Sequence, residues 1–360
     1  MTSQFPLQNT HRNGANMAKT AIEQTALLVR SNWLRLSGVA AALIFFFALP
    51  ALFDQLFGFS SDFELHRVSL IGIFVIAAFA QNILTGYAAQ PSLGNAAFFG
   101  VSGYMVVWLV NDLNQPYWLG LLAACAVAAL LGIITGGPAL RISGAYLAIA
   151  SLGLVMLANS TLTLWDTTAG RESYLFNNIP VALTDDHSLY YFVLWVVIIT
   201  LYLGYNMTRS RIGRAFTAIR DDEAAAESFG INLTRYKLLA FTISATLTGL
   251  AGGLYATWGG TASSSMSSVD QTIAFLAMIV IGGLGSIIGS VLGAIFVGAI
   301  PLLLGLLPNV ITVGTTQIQI TTLNTGIYGA LLLLALIYFP LGLQTIPAML
   351  QKLLQRRKQQ

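Results

Sequence analysis

The stretch VSLIGIFVIAAFAQNILTGYAAQPSLGNAAFFGVSGYMVVWLV, residues 68–110, decides the fold class of this chain. Its first part, 68–85, is an uncharged apolar run, and about 20 such residues suffice for a helix to cross the hydrocarbon core of a bilayer. A polar stretch with Gly and Pro follows at 86–95, and then a second uncharged apolar run. The pattern predicts two membrane-embedded helices with a break between them, since Pro91 lacks an amide hydrogen and disfavours helical backbone at Gln90.

The composition extends this prediction to the whole chain. Of its 360 residues, 56% are hydrophobic and only 9% are charged, and the mean hydropathy is +0.74. Soluble proteins average about 25% charged residues, so these charges are too few to cover a water-exposed surface. The single cysteine excludes a disulfide framework, and the three histidines are too widely spaced for a metal site. We therefore predict an all-α polytopic membrane protein without a metal or other cofactor.

Ten apolar stretches are predicted to be transmembrane helices. Two of them, 95–110 and 273–285, are short for a membrane-crossing helix and lie beside polar or Gly-rich sequence, which predicts broken or re-entrant segments. The predicted membrane domain, 36–345, lies between an N-terminal tail, 1–35, and a basic C-terminal tail, 346–360. The ten predicted spans are 36–53, 68–85, 95–110, 117–134, 145–164, 189–206, 238–258, 273–285, 287–307 and 326–343.

The basic residues orient these helices. Fourteen of the 17 Lys and Arg residues lie before the first span, between the sixth and seventh spans, or after the last span. Basic loops stay in the cytoplasm by the positive-inside rule, which places both termini and the loop at 207–237 there. Residues 1–33 contain no apolar core, so no cleavable signal peptide is expected. The acidic residues assigned to outer loops include Asp112, Asp166, Glu172, Asp185 and Asp186.

The two breaks indicate a translocation pathway. Irregular backbone at membrane depth is tolerated only where protein buries it or where it lines a cavity, and interrupted helices are typical of transporter sites. Uncharged polar side chains and two tyrosines lie near the first break. The alternative is that these side chains make only interhelical hydrogen bonds. The predicted pathway residues are Gln81, Asn82, Tyr87, Gln90, Ser92, Asn95 and Tyr104.

Glycines mark the second break, 282–290, and the span after it. Gly285, Gly289 and Gly293 are spaced four residues apart, which predicts one helix face that allows a neighbour to approach closely. This stretch lacks the spacing, the preceding strand and the downstream acid of a dinucleotide-binding loop. The predicted break and packing residues are Gly86, Pro91, Gly94, Gly282, Gly283, Gly285, Gly289 and Gly293.

The motifs that the sequence lacks argue against several classes of function. No Walker A motif is present, so nucleotide hydrolysis by a P-loop is excluded. No ionisable residue lies in the middle of a predicted span, which argues against a proton-driven carrier. No catalytic constellation is visible, and we predict that the chain is not an enzyme. The energy for transport is expected to come from outside the chain.

The loop at 207–237 is the one rich polar segment. Asp221, Asp222 and Glu223 open an Ala-rich run, as acids do at a helix N-terminus, and Gly230 closes it. This predicts a two-turn helix that docks into a partner at the cytoplasmic face, with an ordinary solvated loop as the alternative. The predicted coupling residues are Arg214, Arg220, Asp221, Asp222, Glu223, Ala225, Ala226, Phe229 and Gly230.

Three blocks of sequence carry a resemblance to a known family. They are GYAAQPSLGNAAFFG at 86–100, RISGAYLAIASLG at 141–153, and 209–239 taken together with GGLGSIIGSVLGA at 282–294. In these blocks the chain resembles the LivM-type permease family of branched-chain amino-acid ABC importers. The resemblance extends over residues 68–345.

The resemblance implies a permease subunit in a bacterial inner membrane, with a fold like that of the large vitamin-B12-type importers. Such a subunit pairs with a second permease subunit and two cytoplasmic ATPases, and a periplasmic or tethered binding protein delivers its solute. No nucleic-acid partner is implied. The expected solutes are branched-chain or other neutral amino acids. Urea or short amides, sugars, and a self-contained secondary carrier of amino acids remain alternatives.

Overall fold

Within the part of the chain that it describes, the computed structural model is mostly helical, as predicted. The described residues are 61–139, 144–305, 310–313, 316–319, 329 and 342–343. The predicted first span, nearly all of the last span and both tails lie outside them. The helices, in chain order, are α1 Ser61–Asn82, α2 Asn95–Asn111, α3 Tyr117–Ala139, α4 Ala145–Thr168, α5 Asp186–Arg209, α6 Arg211–Asp221, α7 Glu223–Ser228, α8 Leu233–Gly259, α9 Val269–Gly282 and α10 Ile287–Gly305.

Short strands accompany the helices at two places. β1, Tyr174–Leu175, pairs antiparallel with β2, Thr261–Ala262, and joins the segments that follow α4 and α8. β3, Val310–Val313, pairs antiparallel with β4, Thr316–Gln319. None of these strands is predicted from the sequence, because such short strands give no clear period of two.

Five described helices are long and apolar enough to cross a membrane. Three further apolar helices are shorter than the roughly 20 residues that cross the hydrocarbon core, and all three adjoin a predicted break. They are α2 with 17 residues, α9 with 14 residues, and Ile287–Ile300 within α10. The total of ten spans stays a prediction. The five membrane-length segments are Leu65–Tyr87, Tyr117–Pro138, Tyr146–Thr168, Asp186–Arg209 and Leu233–Gly259.

Several helices begin earlier than predicted because polar side chains cap them. α8 begins at Leu233 rather than at residue 238, and the side chain of Asn232 accepts a hydrogen bond from the Arg235 N–H at 3.0 Å. Asp185 and Ser268 cap α5 and α9 in the same way. A cap satisfies backbone N–H groups that the first helical turn leaves without partners. The helices therefore extend into polar sequence that hydropathy alone does not assign to a span.

Small residues let α8 lie close to α2 and α3. A Cβ added to Gly252 in α8 would lie 2.0 Å from the Phe99 carbonyl oxygen in α2. A Cβ added to Gly249 would lie 2.5 Å from the Ala128 side chain in α3. Close backbone packing of this kind stabilises helices in lipid, where hydrophobic burial gives little driving force between them. The α2–α3–α8 core thereby fixes the start of α2, where the first break ends.

Candidate functional site

The first break separates α1 from α2. The last turn of α1 continues as a π-helix, Ile83–Tyr87, and π-helical turns occur frequently at functional sites. The chain is then non-helical until α2 begins at Asn95, and Ala89 adopts a left-handed φ of +49°. Pro91 and Gly94 lie in this non-helical segment. Irregular backbone thus lies next to the polar residues that the sequence singles out.

Buried polar side chains hold the first break in place. Nε2 of Gln81 donates a hydrogen bond to the carbonyl oxygen of Ser92 at 2.7 Å. Nδ2 of Asn95 donates to Oγ of Ser244 in α8 at 3.1 Å, and Ser244 Oγ donates to the Ala80 carbonyl oxygen at 2.7 Å. The structure therefore brings most of the predicted pathway residues to one place. Those that are at most 4% exposed at this break are Gln81, Asn82, Gln90, Ser92 and Asn95.

Two of these side-chain amides have an oxygen that accepts no hydrogen bond from the described residues. Oε1 of Gln81 and Oδ1 of Asn95 have no hydrogen-bond partner among the residues that the structure describes, although both atoms are buried. A buried acceptor without a partner costs about 1–3 kcal/mol. Interhelical bonding alone does not account for these two oxygens. They suit a water molecule or the donor groups of a small solute.

A cavity of about 330 Å³ lies beside the first break. This volume is at the lower end of the range for small-molecule sites, which is about 300–1,000 Å³. Its lining is mostly apolar, with the hydroxyls of Ser92, Thr135 and Ser151 as polar groups. Oγ of Ser151 also accepts a hydrogen bond from the Leu93 N–H at 2.8 Å, so the cavity wall and the break are connected.

The second break, 283–286, is bonded to the first through Asn82. Gly283 and Gly285 have positive φ values of 122° and 72°. Oδ1 of Asn82 accepts a hydrogen bond from the Gly285 N–H at 2.8 Å. Nδ2 of Asn82 donates to the Ser286 carbonyl oxygen at 2.8 Å and to Ser290 Oγ at 2.7 Å. One buried side chain therefore joins two segments that lie more than 200 residues apart.

The three glycines that are spaced four residues apart do not all lie on one helix face, contrary to the prediction. Gly285 lies in the break before α10 begins, so it is not on a helix face with Gly289 and Gly293. The latter two do pack closely: a Cβ on Gly293 would lie 1.8 Å from the Met278 carbonyl oxygen in α9, and one on Gly289 would lie 2.8 Å from the Gly282 carbonyl oxygen. The four-residue spacing thus misassigns Gly285, because its left-handed backbone places it outside the helix.

The predicted docking helix is present as α7, but Asp221, which is predicted to open it, is not part of it. Asp222 caps α7 by accepting a hydrogen bond from the Ala225 N–H at 3.0 Å, and Gly230 follows α7 with φ of +82°. Asp221 is the last residue of α6 and does not open α7, which corrects the prediction. The amphipathic helix α6 was not predicted, although its buried Phe216 and Ile219 follow helical spacing.

α7 is largely exposed and is tied to α8 by an ion pair. Phe229, which directly follows α7, is 87% exposed, and Ala225 is exposed. Ala226 is buried against the protein, so it does not present a surface to a partner. Nζ of Lys237 in α8 donates to Oε2 of Glu223 at 2.7 Å. Lys237 is absent from the predicted coupling residues, because only the tertiary structure brings it to Glu223.

Arg220 connects α6 to the first break, whereas Arg214 does not. Nη1 of Arg220 donates to the Gly86 carbonyl oxygen at 3.3 Å. Nη1 of Arg214 donates to the carbonyl oxygen of Arg209, the last residue of α5, at 3.1 Å. The sequence places both arginines in one loop and gives no sign of this difference.

The family of the chain follows from comparison with known proteins. A family model described as "Branched-chain amino acid transport system / permease component" matches residues 65–336. The chain belongs to this family. Its membership and its apolar helices together make it a multi-pass membrane permease. No solved structure matches the chain.

Individual relatives of the permease differ in the solutes that their names state. It is 31% identical to the high-affinity branched-chain amino acid permease proteins LivM of Salmonella typhimurium and Escherichia coli, over 62% and 63% of this chain. These matches cover 59% and 60% of the LivM proteins, so the permease spans about 60% of their length. It is 26% identical to the fructose import permease protein FrcC of Rhizobium meliloti, over 78% of this chain and 82% of FrcC. It is also 28% identical to the autoinducer 2 import system permease protein LsrC of an Enterobacter species, over 72% of this chain and 76% of LsrC.

Tyr104 lies in a second polar cluster of the permease, away from the first break. It is nine residues beyond Asn95 in α2, or roughly 13 Å along the helix axis. Its hydroxyl donates to Oδ2 of the buried Asp166, whose Oδ1 accepts from Nε of Arg171 at 3.1 Å. Tyr104 therefore does not join the other predicted pathway residues, because Asp166 at the end of α4 provides its partner.

The loop after α4 completes this second cluster. The Arg171 guanidinium lies over the Tyr174 ring, with 3.5 Å between its central carbon and the ring centroid. The pKa of Tyr174 is raised to about 12, mainly because its phenol is buried and secondly because the Asp112 carboxylate lies nearby. Among the described residues, no three His, Cys, Asp or Glu side chains are grouped as metal ligands.

Proposed function

We propose that this permease is a transmembrane subunit of an ABC importer for branched-chain or other neutral amino acids. It forms the translocation pathway with a second permease subunit and takes its energy from two cytoplasmic ATPase subunits. A periplasmic or tethered binding protein supplies the solute. The family membership and the LivM relatives support the proposal.

The proposed topology follows the distribution of basic residues. The membrane domain is assigned to 36–345, with ten spans arranged as in the vitamin-B12-type importers. The tails, 1–35 and 346–360, and the loop at 207–237 lie in the cytoplasm of a bacterial cell, beside its inner membrane. α6 and α7 belong to this loop, which places them on the side where ATP is available.

The observation that carries the proposal is the exposed helix α7, which is bonded to the membrane-embedded helices behind it. Its exposed alanines allow close approach of a partner, and Phe229 offers an aromatic anchor for a pocket. The Glu223–Lys237 ion pair connects α7 to the start of α8. Through these contacts, a partner that moves α7 also moves a membrane-crossing helix.

In the proposed transport step, closure of the two ATPases on ATP displaces α7 and the helices bonded to it. The breaks at 83–94 and 283–286 are the points at which α1, α2, α9 and α10 turn relative to one another, since they lack continuous α-helical hydrogen bonds. The solute passes beside the first break, through the cavity whose mostly apolar lining carries hydroxyl groups but no charged side chain. Such a lining suits a neutral or zwitterionic solute that binds weakly, with high affinity residing in the binding protein.

A sugar is the second candidate solute. The fructose permease relative FrcC covers a larger share of this chain than the LivM relatives do, although at lower identity. Hydroxyl groups at the cavity wall suit a sugar as well as an amino acid. Uptake of radiolabelled leucine and of radiolabelled fructose into vesicles that contain the assembled transporter decides between them.

The partner assignment is tested by gentle affinity purification of the tagged permease from native membranes. We expect two ATPase subunits and a second permease subunit to co-purify in stoichiometric amounts. A chain that elutes alone, without ATPases, contradicts the proposal and favours a self-contained secondary carrier.

The docking assignment is tested by Phe229→Asp. This change places a charge in the proposed ATPase contact and is expected to abolish ATP-driven uptake while membrane insertion stays normal. Val181→Asp is the matched control, because Val181 is also 87% exposed but lies in the loop assigned to the outer side. Normal uptake by Phe229→Asp removes α7 from the ATPase contact.

A further inference from the structure

Arg220, Gly86 and Gly285 meet at one junction, which connects the cytoplasmic helices with both helix breaks. Nη1 of Arg220 lies 3.3 Å from the Gly86 carbonyl oxygen. A Cβ added to Gly285 would lie 2.7 Å from the same nitrogen and 3.2 Å from the Gly86 carbonyl oxygen. The guanidinium therefore contacts the first break at Gly86 and the second at Gly285.

The apolar face of α6 is fixed to the same place. Phe216 is fully buried in a cluster that contains Ile83 and Leu84 of the π-helix. Arg220 lies four residues after Phe216, so one face of α6 carries both contacts to the first break. Rigid-body motion of α6 must therefore move the first break.

Nothing else in the described structure holds the Arg220 side chain as firmly. Its other hydrogen bonds go to Asp221, at 3.4 and 3.5 Å, and both side chains of that pair are substantially exposed. Exposed ion pairs of this geometry contribute little. The charge of Arg220 also acts on the Tyr87 phenol, which belongs to the π-helix of the first break. The guanidinium thus keeps its position chiefly through the junction.

We infer that Arg220 is the positioning residue through which α6 and α7 set the separation of the two helix breaks. This inference rests on the proposed function, because it assigns the route by which ATPase motion reaches the pathway. While Arg220 contacts both breaks, they are held together along with the Asn82 hydrogen bonds. Displacement of α6 carries Arg220 and the first break together and draws them away from Gly285, against the Asn82 hydrogen bonds that remain.

The test measures the accessibility of the second break in the assembled transporter. Leu284 lies in that break and is 50% exposed. A Leu284→Cys variant in a Cys125→Ala background therefore carries one thiol at the break. The labelling rate of this thiol with a maleimide is measured without nucleotide and after trapping with ATP and vanadate. In this parent, nucleotide is expected to change the rate at least about fivefold, within the range of typical allosteric couplings.

Three further substitutions isolate the role of Arg220. Arg220→Ala is expected to retain ATPase subunits and ATP hydrolysis while the labelling rate no longer responds to nucleotide. Arg220→Lys keeps a donor for the Gly86 carbonyl and is expected to recover part of the response. Arg211→Ala is the matched control, since Arg211 is an exposed arginine of the same helix and is not among the predicted coupling residues.

Each outcome distinguishes this inference from the proposed function. A parent transporter whose labelling rate ignores ATP overturns the proposed function and the inference with it. A responsive parent together with an equally responsive Arg220→Ala overturns the inference alone. An Arg211→Ala variant that loses the response as fully as Arg220→Ala also overturns it, because the loss then follows from removing a positive charge from α6 and not from breaking the junction.

Discussion

Asn82 and Gly285 join the two helix breaks: Oδ1 of Asn82 accepts a hydrogen bond from the Gly285 N–H at 2.8 Å, across 203 residues of sequence. The amide nitrogen of Asn82 supplies two more hydrogen bonds to the same segment, at Ser286 and Ser290. The side chain is fully buried. Because α9 and α10 leave backbone groups without helical partners here, Asn82 satisfies polar groups that lipid cannot. The two breaks therefore form one structural unit.

Asn82→Ala is expected to destabilise this unit. It leaves the Gly285 N–H, the Ser286 carbonyl and the Ser290 hydroxyl each with one partner fewer, and an unsatisfied buried group costs about 1–3 kcal/mol. Asn159→Ala is the control, because its amide makes a single hydrogen bond, to the Ser264 carbonyl oxygen at 2.8 Å. Thermal unfolding in detergent should show a larger fall in apparent Tm for Asn82→Ala. Equal falls would contradict the role of Asn82 at the junction.

Gly86→Ala is expected to push the breaks apart. The added Cβ would lie 1.9 Å from Asn82 Oδ1 and 2.4 Å from the Gly285 nitrogen, so backbone and buried side chain must both shift. Gly153→Ala in α4 is the matched control, since its Cβ would meet nothing within 4 Å. In a helix interior, Ala instead of Gly stabilises by roughly 0.5–1 kcal/mol. Apparent Tm should fall for Gly86→Ala and hold or rise for Gly153→Ala; a tolerated Gly86→Ala would show that the junction is loose.

The stability of the permease is expected to depend on Tyr174 at alkaline pH. The pKa of this phenol is raised to about 12 by burial and the Asp112 carboxylate, whereas an ordinary tyrosine has a pKa of 10.0. Between pH 10 and pH 12, Tyr174 in the folded state holds a proton that the unfolded state releases. The stabilisation of the folded state by the protonated phenol is therefore complete below pH 10 and is lost as the pH rises towards 12. Tyr174→Phe should therefore reduce the fall in apparent Tm across this range. Tyr146→Phe, at an exposed tyrosine, should not; an unchanged slope in Tyr174→Phe would contradict the shift.

The sequence predicts the local features of this fold and few of its long-range contacts. Pro91 and the Gly-rich stretch at 282–290 mark the ends of helices, because backbone constraints act within a few residues. The capped start and glycine end of α7 are likewise local. The Arg220–Gly86 and Glu223–Lys237 contacts depend on how α6, α7 and α8 fold back, and no spacing rule encodes that. Tyr104 shows the same limit: its position suggests the pathway, and Asp166, 62 residues later, gives it another partner.

The role of Asn95 is decided by comparing it with its own partner. Asn95 Nδ2 bonds Ser244 Oγ, while Asn95 Oδ1 is left without a partner among the described residues. Ser244→Ala removes the same interhelical bond but keeps the Asn95 amide beside the break. If Asn95 acts only in packing, both variants should change leucine uptake alike and leave the ratio of leucine to fructose uptake unaltered. We expect Asn95→Ala to change that ratio and Ser244→Ala to lower uptake without changing it, since only the amide offers its oxygen to the solute. Vesicle uptake with both labelled solutes measures this directly, and an unchanged ratio in Asn95→Ala removes Asn95 from the pathway.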